Sequence, residues 1–211
     1  MLRALALFSL IALHGCAVQP LADLDAPEAR QERGPAEKHP ESYDQALQSW
    51  RSPEQLNSWI ADTFKYDRDR AMRLSETQRQ ARGSLPIHSP SEFFSRPAGV
   101  CVDLARFAVE TLQAVAPERK AKYLMIEFAP ATIQGNTLRR HWLVSFEREG
   151  KLYFFADSKR PGHIAGPYLS TGAFIAEYAQ YRGREVASFR ELPSYQRRAK
   201  VKAVKQRRED A

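Results

Sequence analysis

The sequence predicts an α+β fold in which a helix carrying a cysteine packs on an antiparallel sheet. Three observations lead there. A nearly all-apolar helical run extends from Val100 to Val115 with Cys101 near its head. Two consecutive strand-like runs, Arg140 to Phe146 and Lys151 to Asp157, are joined by Glu147-Arg148-Glu149-Gly150, and a further strand candidate, Lys122 to Phe128, precedes them. Helical patterns followed by runs of strands belong to α+β architectures. At 211 residues the chain can build one real core and still carry tails.

The N-terminus reads as a targeting segment. Arg3 and the apolar run Ala4 to Leu13 are too short for an ordinary membrane span but suit a secretory signal, here residues 1–15. The run ends in Leu13-His14-Gly15-Cys16, which resembles the bacterial lipobox apart from His14, so Cys16 is the expected lipidation site. An ordinary signal peptide cut nearby is the alternative. With a lipid anchor the protein would be exported and tethered to the cell envelope, on the periplasmic face of the outer membrane if the host has two membranes.

Residues 16–41 carry Pro20, Pro27, Pro35 and Pro40 among charged and small residues, the composition of a flexible tether. A globular domain is expected over residues 42–192. It opens with Asp44 to Trp50 and then Ser52-Pro53-Glu54-Gln55, a helix start with an N-cap and Pro at the first position, followed by Leu56, Trp59, Ile60 and Phe64 at helical spacing. Arg68 to Arg82 is charged and weakly amphipathic, an exposed helix or ordered loop. Leu85 to Pro97 reads as a Pro-punctuated approach to the Cys101 turn, and its His88 as a surface residue. After the sheet, Thr171 to Tyr181 is helical and capped by Gly183, and Val186 to Phe189 is a last strand.

On the Val100 to Val115 helix, Leu104, Ala105, Ala108 and Leu112 fall on the Cys101 side. Asp103, Arg106, Glu110 and Gln113 form a polar stripe opposite. Cys101 therefore heads the buried face, where a helix start lowers a thiol pKa through its unpaired N–H groups and dipole. A three-residue hairpin loop, Arg148-Glu149-Gly150, would pair Glu147 with Lys151 and so set His141 directly opposite Asp157. Leu143, Phe155 and Tyr153 would share that side, and Trp142, Val144, Phe146, Ala156, Phe154 and Leu152 the other. Directly opposed side chains lie about 5 Å apart, close enough for a carboxylate to hold one imidazole nitrogen. A one-residue slip would part them.

These residues resemble the transglutaminase-like cysteine hydrolases of the papain-like superfamily. The resemblance rests on the helix ending Phe64-Lys65-Tyr66, the turn Gly99-Val100-Cys101-Val102-Asp103, His141 opening a strand and Asp157 closing the next. It implies catalytic Cys101, His141 and Asp157, as nucleophile, general base and orienter, on a papain-like core. The oxyanion donor has no matching side chain; the Cys101 backbone N–H and Tyr66 are the candidates.

The expected activity is thus a thiol-dependent acyl transfer, most simply a cysteine peptidase or amide hydrolase acting on an envelope protein or peptide. A transamidase, or a lipoprotein that binds a peptide or polymer in the same groove without cleaving it, are the alternatives. No cofactor is expected. A metal site of Cys101, His141, Asp157 and His163 lacks any paired Cys or His motif. With Cys16 acylated, Cys101 has no disulfide partner and is either a free reactive thiol or a buried small hydrophobe; a Cys16 to Cys101 bridge is the third possibility.

The formal net charge is +7, and Arg197, Arg198, Lys200, Lys202, Lys205, Arg207 and Arg208 place much of the excess in a basic tail, residues 193–211. Export points that tail toward anionic surfaces, and without interleaved aromatics it is not read as a nucleic-acid site.

Overall fold

The computed structural model describes residues 39–156 and 162–196. The predicted signal segment, Cys16, most of the tether and of the basic tail, and Asp157 lie outside the described residues.

Local capping signals set the helical half. Ser42 caps α1 (Tyr43–Ser49), and Ser52 with Pro53 starts α2 (Pro53–Thr63) as the sequence predicts. A two-residue strand β1 (Lys65–Tyr66) follows. The charged stretch after it forms two short helices, α3 (Arg68–Arg73), capped by Asp67, and α4 (Glu76–Arg82), capped by the buried Ser75. The Pro-punctuated approach contains a helix that the reading as a loop passed over: α5 (Pro90–Ser95) has a full capping box between Ser89 and Glu92. Then come β2 (Ala98–Gly99), α6 (Cys101–Val115) and a 3-10 turn at Pro117–Arg119.

The sheet half is β3 (Lys122–Ile133), β4 (Asn136–Arg148), β5 (Lys151–Phe155) and β6 (Ala165–Tyr168), followed by α7 (Thr171–Arg182) and β7 (Val186–Leu192). The five strands are ordered β6-β5-β4-β3-β7, all antiparallel, while β1 and β2 pair in parallel apart from them. β3 and β4 run well past their predicted ends. An irregularity between Glu127 and Ala131 accommodates Pro130, which has no N–H for a regular ladder.

Two cores flank the sheet. One face presents Tyr123, Val144, Phe146 and Phe155 to α6 and, behind it, to α1, α2 and α5. There Trp59 stacks on Phe94 at 4.7 Å, and Phe107 lies 5.0 Å from both Trp59 and Phe93. The other face presents Leu124, Ile126, Phe128, Leu143 and Phe154 to Phe174, Ile175 and Tyr178 of α7.

The hairpin register departs from the expected one. Arg148 pairs with Lys151 and Val144 with Phe155, so the loop has two residues, not three. Glu149 (φ 52°) and Gly150 (φ 70°) are both left-handed, as a type I′ turn requires. The slip exchanges faces: Phe155 and Tyr153 join Trp142, Val144 and Phe146 on the α6 side, and Phe154 and Leu152 join Leu143 on the α7 side. The three-residue register expected from the sequence is thus not the one this ladder has, and Asp157 itself lies outside the described residues.

Candidate active site

Cys101 is the first residue of α6, the fifteen-residue helix at the centre of the larger core, and is 8% exposed. Two short segments bring it there. β1 and β2 pair Lys65 with Ala98 and Tyr66 with Gly99, with Lys65 N–H donating to Pro97 O and Asp67 N–H to Gly99 O, each at 2.8 Å. The chain then turns at Val100, whose side chain offers no acceptor to the helix start. Asp103, one turn in, takes over: its Oδ2 accepts the Val100 N–H at 3.1 Å. The thiol is thus presented at a helix N-terminus, where first-turn N–H groups point outward from the helix and favour negative charge.

Asp103 is the correction to the helical wheel. It is not part of a solvated stripe but completely buried. Arg70 of α3 grips it in fork geometry, Nε to Oδ2 and Nη2 to Oδ1, both at 2.7 Å, and the His88 N–H donates to Oδ1 at 2.9 Å. Each oxygen so accepts from two donors, the condition under which a buried carboxylate is stable. The turn is closed too tightly for a side chain at Gly99, since a Cβ there would lie 2.9 Å from Asp103 Oδ2.

The segment before α5 is strapped over this point. Arg70 Nη2 donates to Pro86 O at 2.5 Å, Arg106 Nη1 to Ile87 O at 2.8 Å, and Asp103 receives His88 N–H. His88 also brings its Nδ1 to 3.9 Å from Asp103 Oδ1, with its side chain 31% exposed. Arg106 in turn bonds Glu110, which accepts the Tyr123 hydroxyl at 3.2 Å; burial and the adjacent Glu110 push that phenol's pKa up, so it stays a neutral donor. Helical periodicity puts Asp103 and Arg106 on a polar stripe, and Arg70 falls in the charged stretch expected to be exposed. The available signal was an acid at the third helical position after an N-cap that cannot cap.

His141 lies in the middle of β4, fully buried and paired with Ile126. Strand alternation sets it with Leu143 on the α7 side, where its ring stacks on Tyr178 at 6.1 Å and lies 6.5 Å from Phe128. Tyr66, the second oxyanion candidate, is half-buried against the α6 core and paired with Gly99 beside the nucleophile turn. His163 stands in the loop before β6, next to Ile164, which packs on the α6 core. Among the described residues no cluster of three or more His, Cys, Asp or Glu is placed to hold a metal ion, and no helix is long and apolar enough to cross a membrane.

A family described as a transglutaminase-like domain matches residues 45–186, from α1 to the start of β7. Among solved structures the chain is similar to Legionella pneumophila LapG in its calcium-bound form, with 23% identity, 57% of each chain covered and a TM-score of 0.35. The similarity thus spans little more than half of that protein's length. No curated protein matches the chain.

Proposed function

The chain belongs to the transglutaminase-like domain family, and from that premise we propose that it is a thiol-dependent acyl-transfer enzyme, a cysteine peptidase or amide hydrolase. The observation that carries the reading is Cys101 at the head of α6, in a turn fixed by a buried, fully bonded acid. In this reading the Cys101 sulfur attacks a carboxamide carbon and its proton passes to His141. The negative charge on the carbonyl oxygen is met by the Cys101 backbone N–H. Collapse breaks the C–N bond, the leaving amine takes the proton from His141, and a thioester remains. Water then adds to the thioester carbon as its proton passes to His141; the C–S bond breaks, the acyl group leaves as a carboxylic acid, and His141 returns the proton to the sulfur. Asp157 holds the imidazole tautomer. The substrate is an envelope protein or peptide, reached by export and by a lipid on Cys16, and hydrolysis is favoured over transamidation.

A second reading has a specific observation in its favour. The His141 ring is packed in the α7 core against Tyr178 and Phe128. A protein that keeps the fold and binds a peptide or polymer in its groove without cleaving it needs no base at the thiol.

Labelling with iodoacetamide separates the two. The enzyme reading expects rapid modification of Cys101, none in Cys101→Ala, and a rate about a hundredfold lower in His141→Ala, the scale of general-base assistance. Slow labelling that His141→Ala leaves unchanged would establish the binder instead. An intact mass of the exported protein tests the lipid on Cys16 and any Cys16 to Cys101 bridge together.

A further inference from the structure

We infer that Arg70 and Asp103 act as one positioning unit, which fixes the Cys101 turn and the Pro86-Ile87-His88 strap relative to each other. The inference rests on the reading of Cys101 as a nucleophile and names residues which that reading does not use. Neither touches the reacting atoms in this account; both act through the backbone on either side of them.

Four donors meet on one carboxylate. Oδ2 takes Arg70 Nε and the N–H of Val100, the residue just before Cys101; Oδ1 takes Arg70 Nη2 and the N–H of His88. Only a carboxylate of aspartate length satisfies this. Asparagine keeps the shape, but its amide would turn two hydrogens toward groups that are themselves donors. Glutamate adds a methylene where even a Cβ on Gly99 would come within 2.9 Å of Oδ2.

Arg70 is the complementary half. Its charge compensates a carboxylate with no exposure, and the same guanidinium reaches Pro86 O, so one side chain spans the helix start and the strap. α3 contributes this residue from 33 positions away in sequence, which ties the nucleophile turn to an element otherwise at the periphery. Of the strap, Pro86 is exposed while Ile87 and His88 are half-buried, with His88 Nδ1 3.9 Å from Asp103 Oδ1. A group approaching the thiol from that side meets a surface whose position Asp103 sets.

The test uses the full folded chain and three variants. Arg70→Gln should accelerate amide exchange at least tenfold in peptides covering residues 86–92 and 98–104, leave exchange in α7 unchanged, and slow Cys101 alkylation by iodoacetamide at least tenfold. Arg70→Lys, which keeps the charge without the fork, should recover part of both effects. Phe174→Leu on the α7 face, a destabilised control, should lower Tm without changing either readout. Wild-type exchange in the two segments of Arg70→Gln overturns the inference. So does faster exchange with an unaltered alkylation rate, because the pair would then be structural only. Alkylation of the wild type that is insensitive to His141→Ala counts against the enzyme reading, and the exchange arm then decides the coupling of strap and turn by itself.

Discussion

The two faces of the sheet are built on different principles. On one, α6 is buried along most of its circumference and backed by α1, α2 and α5, with Trp50, Trp59, Phe93, Phe94 and Phe107 interlocked behind it. On the other, α7 is the helix that, among the described residues, covers Leu124, Ile126, Phe128, Leu143 and Phe154, through a stack of Phe174, Tyr178 and Phe154. Among the described residues the α6 face therefore has helical support several layers deep, and the α7 face has one helix. The helix that begins with Cys101 is the better supported of the two. A one-helix cover is the natural place for local opening.

Truncating one ring on each face puts that difference to its hardest test. Phe107→Ala removes a ring in contact with Tyr43, Trp50, Trp59, Phe93 and Phe94 and should cost about 4 kcal/mol, lowering the whole unfolding transition. Phe174→Ala loses the 4.0 Å stack on Phe154 and should cost about 3 kcal/mol, with faster amide exchange confined to α7 and β6. Urea unfolding and exchange mass spectrometry read both. Uniform loss of protection in Phe174→Ala would mean that the two faces share one cooperative core.

A smaller effect probes the hairpin that distributes residues between those faces. In the type I′ turn Glu149 occupies a left-handed position that asparagine adopts more readily. Glu149→Asn should raise stability by roughly 0.5 kcal/mol by the scale of turn substitutions at strained backbone, seen as a higher urea midpoint. A loss of stability would indicate a different loop, and with it the other assignment of faces.

That turn also shows where the sequence stops being informative. Glu147-Arg148-Glu149-Gly150 fits both a three-residue loop with Gly left-handed and a two-residue loop; the choice depends on a positive φ at a glutamate, which no residue type announces. The helix starts were legible wherever the side chain caps its own turn, as at Ser52. Ser89-Pro90-Ser91-Glu92 carried the same signal and was hidden by the surrounding prolines. β6 was not read because Ala165-Gly166-Pro167-Tyr168 has the composition of a loop, and pairing with β5 makes it a strand. Of the site, Cys101 was legible from its helix and Asp103 was misread. Helical periodicity treats a charged residue as solvent-facing, and the arginine that reverses this lies far off in the chain.

The least of the expected effects compares Asp103 with a second arginine-paired carboxylate. Glu127 accepts the Ser188 hydroxyl at 2.8 Å and Arg140 Nε at 3.0 Å, but it sits on β3 beyond the reach of α6 with its side chain 21% exposed. The Ser188 hydrogen bond, opposed by partial burial and reinforced by Arg140, holds its carboxyl below the usual range. A folded-state pKa below the unfolded one contributes stability that is present above the unfolded value and is lost as pH falls through the folded value. Glu127→Gln should therefore cost about 0.5 kcal/mol at pH 7, the scale of an exposed pair. The gap to wild type should close as pH falls below the ordinary glutamate pKa of about 4.3. Urea midpoints at pH 7 and pH 3 measure it, and they should respond to added salt. A difference of several kcal/mol would place Glu127 in the same class as Asp103 and remove the distinction between a carboxylate enclosed under the helices and one at the open end of the sheet.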